Sequence, residues 1–257
     1  MVLLSFYFLL NFMRKICWAF FICLCSFSVS AKEIVYLYTY HKKPPFIVDL
    51  SAQTGLYFDL AKSLTNNSKK FEFRTLYVPR KRLNLLLEGN KLDGAVMGVS
   101  PVWFKDKTES KYLWTSGFYQ DKDEFVSLKT APFEYSNVSS LHGKIVGSVA
   151  GFYYKEVNEG VKAGKFLRVD TVGELEVLKL IEKKRVDVGL VSESVFKYLK
   201  KAGQVQDIFH TSSTPHDQFI RRAFTTKDQV ELYQELSNLL NQIQATNELN
   251  QLLTRYE

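Results

Sequence analysis

The side chains able to do chemistry are distributed along this sequence in a way that suits binding better than catalysis. Its four histidines, His41, His142, His210 and His216, have no partners at metal-ligand spacing, so surface histidine is the default for each. The three cysteines, Cys17, Cys23 and Cys25, all fall in an apolar N-terminal stretch. A chain that loses this stretch has no thiolate for catalysis, metal binding or a disulfide. There is no Gly-x-Ser-x-Gly elbow, phosphate loop or His-Glu-x-x-His, so no nucleophile or acid–base pair has a spacing that argues for an enzyme. The basic knot Arg80, Lys81 and Arg82 is too short for a nucleic-acid arm. Elsewhere lysines and arginines alternate with acids, so the net charge of +7 builds no patch for nucleic acid or membrane.

The elements that must position such residues follow from period and punctuation. At 257 residues, with 46% hydrophobic and 24% charged, the chain can bury a core without metal or disulfide. Ile34 to Tyr40 reads as a strand entering the rigid turn His41-Lys42-Lys43-Pro44-Pro45. Leu56, Tyr57, Leu60, Ala61 and Leu64 fall on one helical face after Gly55. Phe71 to Thr75 alternates as a half-buried strand. A helix after Pro79 ends at Gly89, and Gly94 to Val99 is a buried strand. The pattern then restarts. Lys144 to Val149 and Phe166 to Val169 read as strands. Thr171-Val172-Gly173-Glu174 reads as a capping box opening a helix, and Val186 to Val191 as a buried strand with Ser192 placed to cap the next helix. Phe219 to Phe224 is strand-like, and Gln229 to Ile243 and Glu248 to Leu253 are amphipathic helices. Strands alternating with short helices call for an α/β fold with a largely parallel sheet.

The stretch Leu87 to Val96 echoes Ile181 to Leu190 in five places: apolar, Glu, basic, apolar, Asp. Either two lobes share one supersecondary plan, or helix, turn and buried strand simply recur. In both cases Asp93 and Asp187 are placed to accept backbone N–H bonds at the turn into the strand.

The first 31 residues carry no acidic side chain. From Met13 they show a charged start at Arg14 and Lys15, an apolar stretch from Ile16 to Phe27, and Val29-Ser30-Ala31 before Lys32. That is the form of a cleavable signal peptide over residues 1–31, with Met1 to Phe12 an upstream extension. The competing reading, a retained anchor, suffers because the apolar run is shorter than the roughly 20 residues that span a bilayer. Leu24 and Ile22 precede Cys25 and Cys23, which does not suit lipidation. The expected product is soluble and exported to the periplasm.

In sum the chain resembles the family 3 extracytoplasmic solute-binding proteins, the clamshell receptors of ABC importers of polar amino acids. The residues that carry the resemblance are Pro44-Pro45-Phe46, Gly55 to Leu60, Leu87 to Val96, Trp114 to Tyr119, Leu141 to Gly147 and Arg185-Val186-Asp187, in order across Lys32 to Glu257. The resemblance implies a two-lobed periplasmic-binding-protein clamshell with two hinge crossings. Lobe one would be residues 32–120 plus 217–257, and lobe two residues 121–216. It implies a monomer that closes on a small polar solute and presents it to an ABC permease, with no cofactor, metal or nucleic acid. A stand-alone periplasmic sensor that signals to a membrane receptor is the alternative, and a dehydratase-like enzyme on the same fold a more distant one.

Departures from the family pattern bear on the ligand. The family's carboxylate-clamping Arg has no counterpart in the stretch Gly98, Val99, Ser100, Pro101, Val102, Trp103, Phe104, Lys105, Asp106 and Lys107. Lys105 or Lys107 could replace the charge but not the planar fork. The family's amine-binding Asp is replaced by Ser192, with Glu193 next to it. Arg80 or Arg82 swinging in is the competing source of a clamp. Tyr40, Phe46, Trp103, Trp114, Phe152 and Tyr153 lie near the expected cleft and could wall a flat or cationic ligand, though about half of such rings are expected to be packing. The solute expected is polar and small, and not a standard α-amino acid.

Overall fold

The computed structural model describes residues 31–257, so the expected signal peptide, but for Ala31, lies outside the described residues. Helices α1 (Leu56–Asn67) and α2 (Arg80–Glu88) alternate with strands β1 (Glu33–Thr39), β2 (Phe71–Tyr77) and β3 (Gly94–Val99). Short β4 (Leu113–Trp114) and long β5 (Tyr119–Leu128) follow. Next come β6 (Ile145–Val149), α3 (Lys155–Lys162), β7 (Leu167–Thr171), α4 (Glu174–Glu182), β8 (Val188–Ser192) and α5 (Glu193–Lys201). The chain closes with β9 (Phe209–Thr211), β10 (Asp217–Thr225), α6 (Val230–Ala245) and α7 (Glu248–Thr254).

The strands join in the order β2-β1-β3-β10-β5-β8-β6-β7, with β4 on β10 and β9 on β5. β1 pairs with β3, and β6 with β7 and β8, in parallel; β5 and β10 run antiparallel to their neighbours. The result is a curled sheet flanked by helices, the two-lobed clamshell architecture expected from the sequence, but mixed and not largely parallel, because β5 and β10 cross it antiparallel to their neighbours. Four apolar clusters fill it. Two draw only on residues between Val35 and Tyr119 and from Ala223 onward. The other two draw only on residues between Phe125 and Phe209. β3 is buried along its whole length, as a strand covered on both faces must be.

Two strands make the connection, and each changes partner midway. Asp217 to Arg221 of β10 pairs with Tyr119 to Asp123 of β5. Beyond an irregularity between Arg222 and Ala223, β10 turns to β3 and β4. From Asp123 onward β5 turns to β8, and then β9. The two echo segments adopt one plan: each ends its helix, passes through a left-handed residue, Asn90 (φ 49°) or Lys184 (φ 53°), and enters a buried strand. Asp187 Oδ2 accepts the Ile145 N–H at 2.7 Å, a bond to the start of β6, 42 residues away, and not to the turn into its own strand.

Two capping expectations are corrected. Thr171 makes no capping box, because Gly173 is the N-cap of α4 without a side-chain bond, and Thr171 Oγ1 donates instead to the carbonyls of Ser148 and Gly173. Ser192 does occupy the N-cap position of α5, yet its hydroxyl makes no capping bond. The helix N-terminus is satisfied by Asp121 reaching over from β5, where Oδ1 accepts the Ser194 N–H at 3.1 Å.

Candidate functional site

The crossing strands carry opposite buried charges. Arg221 on β10 is 1% exposed and Asp121 on β5 is 0% exposed. The guanidinium donates to Asp121 Oδ2 from Nε at 3.0 Å and Nη2 at 2.7 Å, and from Nη1 to the Gly98 carbonyl at 3.0 Å. Its plane lies over the rings of Phe46 (4.2 Å), Phe219 (5.1 Å) and Trp103 (5.6 Å), a setting that favours a delocalised cation. Burial alone would raise the Asp121 carboxyl; Arg221 and Lys43 override it and hold Asp121 below the ordinary carboxylate range. Gly98 is required where β3 meets this group. Its φ is +79°, and a Cβ there would lie 1.8 Å from Tyr57 Oη.

A second ionic group lies beside the first. The turn after β1 projects Lys43, whose Nζ donates to Glu174 Oε1 at 3.0 Å and Ser192 Oγ at 2.7 Å. The side chains of Lys43 and Glu174 are 13% and 2% exposed. Ser192 N–H also donates to Glu174 Oε1 at 3.0 Å. The single Ser192 hydroxyl proton has two acceptors, Glu174 Oε1 at 2.7 Å and Asp123 Oδ1 at 3.1 Å. Burial pushes the Asp123 carboxyl up to about 7, with Glu174 and Asp121 adding to the rise and Lys43 opposing it. Lys43 Nζ also stands 5.3 Å from the ring centre of Phe152.

The aromatic wall is formed by neighbours of these groups. Tyr40, half-buried, stacks on His41 at 4.1 Å. Trp103, half-buried, meets His41 edge-on at 5.6 Å and Phe219 at 4.8 Å. His41 is buried, and burial together with Arg221, Lys43 and Arg80 holds its pKa well below the usual value, so the ring is neutral at pH 7.

The expected site residues divide into those beside this group and those away from it. Phe46 lies under Arg221 as a core ring, stacked on Tyr57 at 4.9 Å. Trp114 is buried against Phe224. Gly98, Trp103, Tyr40, Phe152 and Ser192 line or adjoin the two ionic groups, and Ser100 is buried, its carbonyl accepting the Trp103 N–H. Tyr153 is 71% exposed. Glu193 pairs with Lys122 and Lys197, each at 3.3 Å. Lys105 and Lys107 are exposed because the residue between them turns inward. Asp106 accepts the N–H groups of Ser110, Lys111 and Tyr112 and the Trp114 Nε1–H, leaving its neighbours outside. Arg82 is exposed. Arg80 donates to the Trp103 carbonyl at 2.7 Å and to Asn84 at 3.0 Å, over the rings of Tyr40 and Phe104.

Sequence reasoning missed Lys43, Arg221, Asp121, Asp123 and Glu174. The signal was present in Asp121-Lys122-Asp123-Glu124, where two acids sit two apart, on one face of an extended segment. An open cavity of about 580 Å³ elsewhere, between α1 and β2, is lined by Asp59, Lys62, Glu72 and Arg74 among others. It shares no residue with the ionic groups. Among the described residues no group of three or more His, Cys, Asp and Glu side chains is placed to hold a metal ion.

No protein-family model matches the chain, and no curated protein matches it significantly. Solved structures do. The probable amino-acid ABC transporter extracellular-binding protein YtmK of Bacillus subtilis superposes with a TM-score of 0.67 at 16% identity, over 88% of this chain and 98% of that one. A mutant of the arginine-binding protein ArgBP from T. maritima gives 0.65 at 16% identity, over 87% and 94%. The GluR0 ligand-binding core in complex with L-glutamate gives 0.64 at 14% identity, over 89% and 99%. At such identities the likeness is one of fold: this chain has the type 2 periplasmic-binding clamshell.

Proposed function

We propose that this protein is a periplasmic solute-binding protein, a monomer that takes a small polar solute into the cleft between its lobes for an ABC-type permease. The lobes assigned are residues 32–120 with 217–257, and residues 121–216, the signal peptide ending at Ala31. One observation carries the reading: where the lobes meet, Lys43 of the first lobe is desolvated against Glu174 and Ser192 of the second. Burying charge is costly unless it is paired, so a desolvated ammonium and carboxylate facing each other between the lobes mark this place as one built to hold charge. Tyr40, Trp103 and Phe152 are the walls assigned to the solute, with charge supplied by Lys105, Lys107 or Glu193 when the lobes move. The solute is not a standard α-amino acid, because the clamping fork is lacking. The role assigned to this group is capture of a solute, with the Ser192 hydroxyl held by Lys43, Glu174 and Asp123 as part of the ionic contact.

Thermal-shift screening of the mature protein against amines, carboxylates, amino acids and small peptides tests it. A solute at about 100 times its Kd adds about 2.7 kcal/mol, a rise of roughly 5 to 10 °C for a chain of this size. No rise with any compound class would count against solute capture.

A further inference from the structure

We propose that the Lys43 ammonium is a built-in occupant of a cation subsite on the second lobe, formed by Glu174, Ser192 and Asp123. It holds the lobes together when the cleft is without solute, and a solute must displace it with a cationic nitrogen of its own. The second clause rests on the solute-binding reading above; the first does not.

The geometry is that of a bound ammonium. Lys43 Nζ has a carboxylate at 3.0 Å, a hydroxyl at 2.7 Å and an aromatic face at 5.3 Å, three surroundings that suit a primary ammonium. The donor is separated from its acceptors by 131 and 149 residues, and donor and acceptors sit on opposite sides of the β5 and β10 crossing. At the first position of α4 Glu174 makes no capping bond; its Oε1 collects Lys43 Nζ, Ser192 N–H and Ser192 Oγ–H. The Arg221 and Asp121 charges cancel next to it. That leaves Lys43 as the cation facing the two carboxyls Glu174 and Asp123. A solute nitrogen that took its place would keep every acceptor satisfied, whereas an anion would face two carboxyls without compensation.

The closed state gains the ion pair and loses the hydration of both charges, so the contact biases the equilibrium without locking it. A second cross-lobe bond, Lys201 Nζ to the Thr254 carbonyl at 2.6 Å, is exposed and serves as the control.

The test needs no identified ligand. Once the signal peptide is removed the chain has no cysteine, so donor and acceptor dyes go on Leu85→Cys and Lys183→Cys, exposed positions on the two lobes. The expected result is a short interlobe distance for the unliganded protein and an open-to-closed ratio raised about tenfold in both Lys43→Met and Glu174→Gln, with Lys201→Ala unchanged. In Lys43→Ala, n-propylammonium chloride at tens of millimolar should restore the short distance, and sodium chloride or sodium propionate should not. Folded Lys43→Met and Glu174→Gln proteins with the parent's distance distribution overturn the proposal, as does rescue by propionate. Lobes that open on Lys43→Met while the thermal-shift panel finds no solute would leave the latch standing and remove the solute reading. A confirmed solute that binds parent and Lys43→Met equally, with no change in distance, would do the reverse.

Discussion

Arg221 and Asp121 lie on neighbouring strands that both run between the lobes, and two guanidinium nitrogens converge on a single oxygen, Asp121 Oδ2, at 3.0 and 2.7 Å. Asp121 also accepts from the backbone and hydroxyl of Ser194. One carboxylate therefore ties β10, β5 and the start of α5 together. Removing the guanidinium leaves a buried carboxylate with Ser194 and the Lys122 N–H but no ionic hydrogen-bond partner and costs about 3 to 5 kcal/mol. Urea denaturation of Arg221→Met should show that loss. Replacing both residues, as Arg221→Met with Asp121→Leu, should recover part of it. A single variant within about 1 kcal/mol of the parent would mean that the pair is hydrated in solution.

Asp123 gives a pH dependence of definite sign. Its carboxyl is raised to about 7 by burial, so the folded protein binds its proton more tightly than the unfolded chain. The folded state then loses stability as pH rises from the unfolded value near 4 toward 7, and little further above that. Glu134 acts oppositely at the acid end: hydrogen bonds from the Ser213 backbone and hydroxyl, with His210 and Ser212, lower it to about 2. Its contribution is present above the ordinary carboxylate range and is lost as pH falls toward 2. Melting curves of parent and Asp123→Asn between pH 4 and 8 separate the two. The variant should be flatter from pH 4 to 7, and coinciding slopes would show that Asp123 is ionised throughout.

Gly98 and Tyr57 make a packing prediction. A methyl group at residue 98 would overlap Tyr57 Oη at 1.8 Å on a backbone with φ +79°, so Gly98→Ala should destabilise by about 1 to 3 kcal/mol through overpacking, with strain added. Tyr57→Phe removes the overlapping oxygen and leaves both the backbone strain and the closer part of the ring, whose Cζ would lie 2.4 Å from the new methyl. The double variant should therefore regain some, but not all, of the stability in denaturant titration. Full recovery would show that the ring moves aside freely and that the left-handed backbone costs an alanine nothing.

Much of the fold was legible because apolar period survives burial. Gly94 to Val99 is a strand to the residue, and the helix after Pro79 ends at Glu88, one residue before Gly89. β5 was not legible, since its first half reads Tyr-Gln-Asp-Lys-Asp-Glu and charge in a strand normally signals solvent. Here the charges are paired inside: Asp121 by Arg221, Lys122 by Glu124 and Glu193. The pairing that buries Asp121 depends on a residue 100 positions away, which no local window contains. Lys43 was hidden for the same reason. In sequence it belongs to a proline turn, and only the fold brings Glu174 to it. Ser192 was read for the helix it precedes, and Asp121 took that role.

The specificity prediction follows from where each guanidinium is spent. An α-amino acid brings a carboxylate that, once desolvated, costs several kcal/mol without a charge-assisted partner. Arg221 is committed to Asp121 and Gly98, and Arg80 to Trp103 and Asn84. Lys105 and Lys107 are exposed beside the inward Asp106, and an ammonium on a flexible stem lacks the two-pronged fit. The nitrogen of the solute has a socket at Glu174, while its carboxylate has no fork. Calorimetric titration should therefore find the standard α-amino acids binding no tighter than millimolar, and simple amines without the carboxylate binding better. Micromolar binding of any standard amino acid, lost in Arg82→Ala or Glu193→Ala and unaffected by Lys105→Ala, would show that Arg82 swings into the cleft as the clamp and that Glu193 takes the amine.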